Sequence, residues 1–407
     1  MNNRLGRLSL VSLAALMFLL APGHAQQDSA LGQDTQRSPK LHRKGARAVP
    51  NHYIVVLDQD AAGVVGDVAA AERRAAALLQ PLARSATHVY GHAINGFSAQ
   101  LTDEEARQLS EDPGVLFVEE DSIMEAIAIQ TSPPWGLDRI DERTLPLSGS
   151  YTYATTGAGV NVYVIDTGIR RSHTQFGGRA VIGFDAINDG RNTSDCNGHG
   201  THVAGTIGAS TYGVAKGVRL FAVRVLGCNG SGSTSGVIAG VDWVTSHRVP
   251  PAVANMSLGG GASTALDTAV RNSIAAGVTY AVAAGNASTN ASGQSPARVG
   301  EAITVGATTQ RDARSSFSNF GSVVDIFAPG SSILSSWHTS NTATATLSGT
   351  SMASPHVAGV AARYLASTTG ASPAQVRNQI VNNATTNGLS GVPAGTANRL
   401  LFWSGTR

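Results

Sequence analysis

Four continuous apolar runs of strand length restrict the fold of this chain more than any other feature of its sequence. They span residues 160–165, 220–226, 252–257 and 278–283. Because the runs do not alternate between apolar and polar residues, each strand is expected to be buried on both faces, as in a parallel sheet. Helical patterns lie at 233–245, 264–276 and 351–367. This alternation predicts an α/β fold with a doubly wound, mostly parallel sheet.

A second, smaller pattern precedes this region. Strand, helix, strand, strand, helix and strand patterns follow one another between residues 51 and 127. This is the order of a ferredoxin-like α+β unit. A unit of this size in front of a larger domain indicates a prodomain at 51–127 and a separate domain at 128–407, although composition alone allows a binding module as well.

The N-terminus has the pattern of a secretory signal peptide. Arg4 and Arg7 precede an apolar stretch at 8–20, and small residues lie before an expected cut after Ala25. The stretch is shorter than the roughly 20 apolar residues of a membrane-spanning helix. We therefore expect residues 1–25 to be removed and the product to be secreted; an uncleaved membrane anchor is the alternative. The polar, basic residues 26–50 are interpreted as a flexible linker.

The charge and the cysteine content restrict the possible partners and stabilising bonds. The chain has 29 basic and 27 acidic residues, and no basic stripe with interleaved aromatic residues, so nucleic acid is not an expected partner. In an exported protein, an even number of cysteines indicates a disulfide, here between Cys196 and Cys228. Closing a loop of about 33 residues would stabilise the fold by roughly 3.5–4 kcal/mol. Two buried free thiols are the alternative.

Three polar residues stand in glycine-containing frames that are typical of a serine hydrolase. Asp166 directly follows the first apolar run, His199 is flanked by glycines, and Ser351 follows another glycine by two residues. A serine hydroxyl is a weak nucleophile and needs a neighbouring base, which His199 can supply at neutral pH. Asp166 would hold the imidazole in the correct tautomer. Together the frames predict nucleophilic catalysis by Ser351.

The chemistry also requires donors for a developing oxyanion. If Ser351 lies at the start of a helix, its own N–H and the helix dipole face that charge. Asn286, which follows the fourth apolar run, is the candidate second donor. His202 and His356 are interpreted as structural residues. A zinc site at His199 and His202 is the alternative, but no HExxH motif and no obvious third ligand accompany them.

The chain resembles the subtilisin-like serine proteases over nearly all of residues 128–407. The resemblance is nearest to the proteinase K branch and, within it, to the aqualysin group; residues 51–127 are similar to the inhibitory prodomain of the same family. It implies a subtilisin-like α/β fold, an acyl-enzyme mechanism, and catalysis by Asp166, His199, Ser351 and Asn286. The resemblance is carried by the three frames and by the runs Trp135-Gly136-Leu137-Asp138-Arg139-Ile140-Asp141, Asp195-Cys196-Asn197-Gly198-His199, Ala254-Asn255-Met256-Ser257-Leu258-Gly259-Gly260 and Ser315-Ser316-Phe317-Ser318-Asn319-Phe320-Gly321.

The resemblance also implies how a peptide substrate is held. One edge would pair with an extended peptide through main-chain hydrogen bonds, and a second segment would line the pocket for the P1 side chain. Because no acidic residue stands in either segment, an apolar P1 preference is expected rather than a basic one. The edge comprises Ser257, Leu258 and Gly259, and the pocket wall comprises Ala283, Ala284 and Gly285.

Relatives in this branch bind calcium, so the resemblance implies calcium as a structural cofactor. A hard cation prefers a mixture of carboxylate and carbonyl oxygens. The stronger implied site combines the Asp325 carboxylate with the carbonyls of Pro296 and Arg298. A second set is formed by Asp138 and Asp141 together with Glu142, for which an acidic helix start is the alternative interpretation.

We therefore expect a monomeric, secreted serine endopeptidase, made as a precursor that cleaves itself near Ala128. Its expected partners are protein and peptide substrates and its own prodomain, with no membrane contact after signal removal. A lipase or esterase would need a Gly-x-Ser-x-Gly elbow and the order Ser, Asp, His, whereas Ala353 stands where the second glycine should be. A catalytically inactive binding protein on the same scaffold is the other alternative.

Overall fold

The computed structural model of the chain describes residues 40–44, 48–58, 67–122 and 128–404. The chain divides into two compact units between Met124 and Glu125. The expected signal peptide at 1–25 and the segment 124–127, which precedes the expected maturation cut, lie outside the described residues. Across the described ranges, none of the helices is long and apolar enough to cross a membrane.

The first unit is a small α+β fold. Its elements are β1 (Leu41–His42), β2 (Ala48–Leu57), α1 (Val68–Leu79), β3 (Ala86–Tyr90), β4 (Gly96–Gln100), α2 (Asp103–Glu111) and β5 (Val115–Ser122). The strands form one sheet in the order β1-β5-β2-β4-β3. Helix α2 begins with a capping box, because the Thr102 side chain and the Glu105 side chain each accept a hydrogen bond from the other's backbone N–H. From β2 to β5 the predicted β-α-β-β-α-β order is confirmed.

The prediction of a flexible linker at 26–50 is wrong for the part of it that the structure describes. Strand β1 pairs in parallel with β5, and β2 already begins at Ala48. The basic side chains form ion pairs: Arg43 contacts Asp103 and Glu120, and Lys44 contacts Glu119. Composition identified these residues as basic, but the acidic partners that hold them lie 60 to 77 residues later in the chain.

The second unit holds the larger fold. Its strands are β6 (Ala128–Thr131), β7 (Ser150–Tyr153), β8 (Asn161–Asp166), β9 (Ala180–Asp185), β10 (Arg219–Arg224), β11 (Ala252–Met256), β12 (Gly260–Gly261), β13 (Val278–Ala283), β14 (Gln294–Ser295), β15 (Ile303–Thr308), β16 (Ile326–Pro329), β17 (Ile333–Ser336), β18 (Thr344–Leu347), β19 (Thr385–Thr386) and β20 (Arg399–Leu400). Its helices are α3 (Trp135–Ile140), α4 (His199–Gly208), α5 (Thr234–His247), α6 (Thr264–Ala275), α7 (Thr350–Ser367) and α8 (Pro373–Asn383).

The main sheet of this unit is doubly wound and almost entirely parallel. Its strand order is β19-β20-β16-β15-β13-β11-β8-β10-β9. Among the described strands of this sheet, β19 and β20 pair antiparallel and the other neighbours pair in parallel. The four apolar runs become β8, β10, β11 and β13. In β8, Val162 and Val164 pack in one buried cluster, whereas Tyr163 and Ile165 pack in the other. The strand is therefore covered on both faces, which confirms the predicted fold class.

The parallel arrangement brings polar residues from distant parts of the chain to one edge of the sheet. The carboxyl ends of parallel strands lie on the same side, where α/β proteins place their sites. Asp166 is the last residue of β8, Ser257 follows β11, and Asn286 follows β13 by three residues. Helix α7, with Ser351 in its first turn, is buried along most of its length.

Candidate active site

The centre of the site is a contact between Asp166 and His199. Asp166 is fully buried at the end of β8, and its Oδ1 lies 2.8 Å from Nδ1 of His199, the first residue of α4. The backbone N–H of Thr167 donates to the same oxygen at 2.7 Å. Because a carboxylate can only accept, Nδ1 carries the proton and Nε2 is left as the basic atom.

The surroundings of His199 raise the pKa of its imidazole above the ordinary value. Burial acts in the opposite direction by disfavouring the charged form, but the neighbouring charge and hydrogen bond of Asp166, with a further contribution from Asp195, outweigh it. A raised pKa makes the imidazole of His199 a stronger base. At a pH above that pKa the ring is neutral and can accept a proton. The pair can therefore take a proton from a nucleophile and keep the resulting imidazolium stable.

Sequence reasoning assigned no role to the side chain of Asp195, although its carboxylate organises the loop that carries His199. Its Oδ1 accepts from the N–H groups of Asn197 and Gly198 and from the Thr167 hydroxyl, at 2.8–3.0 Å. Its Oδ2 accepts from the N–H and the hydroxyl of Thr201 at 2.9 and 2.6 Å. An aspartate four residues before a histidine reads as a turn residue, so no local pattern reveals this role.

Ser351 lies in the first turn of α7, and its hydroxyl contacts a residue other than His199. Its Oγ donates to the carbonyl oxygen of Ser257 at 3.1 Å. Within the described residues, no hydrogen bond joins this Oγ to His199. Such contacts are often long or poorly aligned without substrate, and rotation about one side-chain bond changes where the hydroxyl points.

Asn286 is placed so that its amide nitrogen remains available. Its Oδ1 accepts from the N–H and the hydroxyl of Thr350 at 2.8 and 2.9 Å. In the described part of the chain its Nδ2 makes no hydrogen bond, and a Cβ built on Gly349 would lie 3.4 Å from it. The amide N–H groups are therefore held beside the turn that carries Ser351, as an oxyanion donor requires.

A buried network that sequence reasoning missed holds the start of α7. The Ser257 hydroxyl donates to the Ser351 carbonyl oxygen at 2.8 Å and accepts from the Asn255 amide at 2.9 Å. The Ser354 hydroxyl donates to the Asn255 Oδ1 at 2.8 Å. Asn255 is fully buried in β11, where an apolar residue would fit the pattern of the run better. The asparagine at position 255, inside the apolar run at 252–257, is the sequence feature that could have indicated this network.

A cleft of about 390 Å³ extends from His199 along two chain segments. One side holds the predicted edge residues Ser257, Leu258 and Gly259, although the strand pairing itself begins at Gly260. The other side is formed by 230–232, which sequence reasoning missed because it reads as a glycine-rich loop. Apolar side chains line the cleft as well, namely Leu226, Val237 and Leu266.

The residues predicted to line the P1 pocket are not among those that line this cleft. Ala283 and Ala284 are buried at and just after the end of β13. Gly285 adopts a φ of 100°, a conformation that favours glycine, and its N–H donates to the Thr350 hydroxyl at 3.1 Å. This hydrogen bond connects the segment to the turn that contains Ser351.

The two cysteines form the predicted disulfide, which joins the two sides of the site. Cys196 lies three residues before His199, and Cys228 lies two residues before Gly230 in the cleft. The Asn197 amide reinforces the link by donating to the Cys228 carbonyl at 3.0 Å. The fully buried Arg224 lies behind the bond, with its guanidinium 3.4 Å from the Cys196 sulfur.

The first predicted calcium set fits a cation less well than its sequence indicates. Oδ2 of Asp325 accepts from the N–H of Thr304 at 2.9 Å, and Oδ1 is paired with the Arg377 guanidinium. The Pro296 carbonyl oxygen accepts from the N–H of Val299 at 2.9 Å. A calcium ion at Asp325 would therefore have to displace an arginine, a contact between positions 52 residues apart that the sequence does not reveal.

The second set is better suited to a cation. Ligand oxygens of Asp138, Asp141 and Glu142 lie within 4.8 Å of one another. Asp141 Oδ1 is buried and has no hydrogen-bond partner among the described residues. Burial, with the nearby carboxylates of Glu142 and Asp138, raises the pKa of Asp141 to about 7. A divalent cation would satisfy the free oxygen and relieve this repulsion, although the Asp138 carboxylate already accepts from the N–H of Gly149 at 3.1–3.2 Å.

The other two histidines of the sequence motifs are buried and held by main-chain oxygens. Nε2 of His202 lies 2.9 Å from the Ile333 carbonyl oxygen and 3.1 Å from that of Ala345. Nδ1 of His356 lies 2.8 Å from the Met352 carbonyl oxygen. Burial lowers the pKa of each imidazole to about 4. Neither ring is grouped with other metal-ligating side chains in the described residues.

Comparisons with known proteins place this geometry in a family. Residues 157–398 match the model of the Subtilase family, and residues 52–126 match that of Peptidase inhibitor I9. An extracellular serine proteinase of Thermus sp. (strain Rt41A) is 53% identical over 381 residues, which cover 90% of this chain and 93% of that protein. A cuticle-degrading protease of Metarhizium anisopliae is 44% identical over 401 residues, covering 96% and 99%.

A solved structure agrees with these relatives. The crystal structure of a cold-adapted subtilisin-like serine proteinase is 56% identical, covers 67% of this chain and 98% of its own, and superposes with a TM-score of 0.65. The chain therefore belongs to the subtilase family and is a secreted subtilisin-like serine proteinase with an inhibitor I9 propeptide.

Proposed function

We propose that the protein is an endopeptidase whose catalytic residues are Ser351, His199, Asp166 and Asn286. The observation that carries the proposal is the hydrogen bond from His199 Nδ1 to the buried Asp166, which leaves Nε2 as the basic atom. His199 lines the same cleft as Ser257, whose carbonyl oxygen accepts from the Ser351 hydroxyl. An inactive binding protein would have no need for a buried carboxylate whose remaining oxygen, Oδ2, lacks a partner among the described residues.

The reaction proceeds by an acyl-enzyme. Ser351 Oγ leaves its contact with the Ser257 carbonyl, gives its proton to His199 Nε2, and attacks the carbonyl carbon of the scissile bond. The imidazolium, stabilised by Asp166, then protonates the leaving amine as the C–N bond breaks. A water molecule then attacks the carbonyl carbon of the ester while His199 accepts its proton. The second tetrahedral intermediate breaks its bond to Ser351 Oγ, which takes the proton from His199, and the acid product is released.

The oxyanion of each tetrahedral intermediate is stabilised by fixed donors. The Asn286 amide is one, because Thr350 already occupies its oxygen and leaves its N–H groups free to face the site. The N–H of Ser351 at the start of α7 is the other, aided by the helix dipole. Neither donor moves during the reaction, which is what makes such stabilisation effective.

The substrate would lie extended between the two sides of the cleft. Ser257 to Gly259 would form main-chain hydrogen bonds on one side, and 230–232 would face the peptide on the other. Ala283 to Gly285 would line the P1 pocket, which contains no charged side chain, so apolar P1 residues are preferred.

Cleavage-site mapping tests this assignment of function. An unfolded protein substrate is digested by the secreted enzyme, and the products are identified by mass spectrometry. We expect internal cleavage, mostly after apolar residues, and few cuts after lysine or arginine. Release of single residues from chain ends would contradict the assignment as an endopeptidase. Frequent cuts after basic residues would contradict the proposed apolar P1 pocket.

Calcium is the proposed structural cofactor, held mainly by Asp138 and Asp141 with Glu142. A ligand that binds the folded state at 100 times its Kd stabilises it by about 2.7 kcal/mol, which corresponds to a Tm shift of roughly 5–10 °C for a domain of this size. We expect a chelator to lower the Tm of wild type by this amount and to have little effect on Asp141→Asn. Asp325→Asn is the matched control and should keep the shift; the reverse pattern would favour the Asp325 set instead.

The first unit is proposed to inhibit the precursor until the chain is cut near Ala128. The match of residues 52–126 to a peptidase inhibitor supports this role. The segment 124–127 would occupy the cleft as a product does, and the mature chain would begin within about two residues of Ala128. Processing of this kind uses the same serine as peptide hydrolysis, so both should be lost together.

A further inference from the structure

The fully buried side chain of Asn319 makes all of its hydrogen bonds to the loop that carries Asn286. Its Oδ1 accepts from the N–H groups of Ala287 and Thr289, each at 3.0 Å. Its Nδ2 donates to the Ala284 carbonyl oxygen at 2.8 Å. One amide therefore joins the main chain before Asn286 to the main chain after it.

The main chain of Asn319 adds a further contact with the same loop. Its N–H donates to the Gly285 carbonyl oxygen at 2.9 Å. A Cβ built on Gly285 would lie 2.4 Å from Nδ2 of Asn319, so the amide packs directly against the loop. Among the described residues, the main chain of Asn286 itself makes no hydrogen bond. The course of the chain through Asn286 therefore depends on the hydrogen bonds that Asn319 makes to its neighbours.

Asn319 is itself attached to the central sheet. The preceding residue, Ser318, is fully buried, and its hydroxyl accepts from the N–H of Ala307 in β15 at 2.9 Å. The N–H of Ser315 donates to the Ala307 carbonyl oxygen at 2.8 Å. Because β15 lies between β13 and β16 in the sheet, Asn319 has a rigid support from which to hold the loop.

We propose that Asn319 is a positioning residue for peptide hydrolysis, which holds the Asn286 amide at the place where the oxyanion develops. The inference rests on the proposed role of Asn286 as an oxyanion donor. Such stabilisation depends on donors that are fixed before the reaction, and a misplacement of about 1 Å can cost about 10²-fold in rate. Thr350, at the start of α7, holds the Asn286 side chain, and Asn319 holds the main chain on either side of it.

Asn319→Ala tests the inference through steady-state kinetics with one peptide, expressed per active serine titrated with a sulfonyl fluoride. The substitution leaves the Asn286 amide in the chain but removes the side-chain contacts that hold its loop. We expect kcat to fall by about 10–100-fold. KM should change by less than about twofold, because the oxyanion contact forms only as charge develops. A kcat equal to that of wild type, or a loss that is entirely in KM, would overturn the proposal.

The same substitution in the Asn286→Leu background separates positioning from a general loss of structure. With no donor left to position, Asn319→Ala should lower kcat by less than about threefold further. The same fold-loss in both backgrounds would show that the two residues act independently, and would overturn the proposal. Full activity of Asn286→Leu alone would instead contradict the oxyanion assignment and the inference with it, so the two failures are distinguishable.

Asn161→Ala is the matched control for the removal of a buried amide. Asn161 is buried at the first residue of β8, whereas Asp166 is the last, and its Nδ2 donates to the Val249 carbonyl oxygen at 2.9 Å. This variant should lower the Tm, because it leaves a carbonyl without its donor, and should keep the kcat of wild type. A fall in kcat as large as that of Asn319→Ala would show that loss of any buried amide has this effect, and would overturn the proposal.

Asn319→Asp is the second variant, in case Asn319→Ala does not fold. It keeps the shape and the accepting oxygen of the side chain, but a carboxylate cannot donate to the Ala284 carbonyl. We expect the same pattern, namely a lower kcat, an almost unchanged KM and little further effect in the Asn286→Leu background. A kcat equal to that of wild type in Asn319→Asp would contradict the positioning role.

Discussion

Ser351→Ala is expected to lower kcat for peptide hydrolysis by about 10⁶-fold, the loss measured when the triad serine of subtilisin is removed. The variant has no nucleophile, so the hydrogen bond between His199 and Asp166 no longer serves a proton transfer. Residual turnover would come from substrate binding and the oxyanion donors. The measurement is kcat with a chromogenic peptide, using protein whose thermal unfolding is compared with that of wild type.

The same variant should fail to mature. We expect full-length Ser351→Ala to keep the first unit covalently attached, whereas wild type releases a fragment that ends between about residues 125 and 129. Intact mass and N-terminal sequence distinguish the two outcomes. A Ser351→Ala protein that is already cut near residue 127, in the absence of any other protease, would contradict self-processing without contradicting hydrolysis by the triad.

Asn286→Leu is expected to lower kcat by about 10²–10³-fold, the loss measured for the oxyanion asparagine of subtilisin. Leucine has a similar size but no donor, and the amide N–H groups that it removes make no hydrogen bond to any of the described residues. Because the interaction forms only as charge develops on the carbonyl oxygen, KM should change little. Steady-state kinetics with one peptide separate the two parameters.

A control is needed because Asn286 also holds the start of α7. Its Oδ1 accepts from the N–H and the hydroxyl of Thr350, so Asn286→Leu can disturb the turn as well as remove a donor. Asn286→Asp keeps the accepting oxygen and loses the N–H groups, and it should be impaired at least as much as Asn286→Leu. Full activity in either variant would refute the oxyanion assignment.

The sequence allowed most of the central sheet to be predicted, and it indicates the residues that we propose for the catalytic centre, because both produce local patterns. Strands β8, β11 and β13 are buried on both faces and therefore read as continuous apolar runs, and the polar residues that follow such runs lie at one edge of a parallel sheet. Strands β9, β15 and β16 were not predicted. Strand β9 forms the sheet margin and β16 has four residues, whereas β15 is buried but has two threonines and a glycine that interrupt its apolar run.

Long-range polar contacts could not be predicted from the sequence. The role of the Asp195 carboxylate depends on five hydrogen-bond donors that come together only in the folded loop. The contact of Arg377 with Asp325 joins α8 to the start of β16 and changes the interpretation of a carboxylate that matches the family's calcium ligand. In the first unit, Arg43 and Lys44 read as linker residues until their acidic partners are known.

Covalent labelling of the active serine is the most direct test of the central claim that Ser351, activated by His199 and Asp166, is the nucleophile. Secreted wild-type protein is treated with a sulfonyl fluoride, digested and mapped by mass spectrometry. The account predicts one adduct per chain, on the Ser351 hydroxyl, formed in step with the loss of activity. Loss of activity with the label on another residue, or full labelling of Ser351 with activity retained, would contradict it.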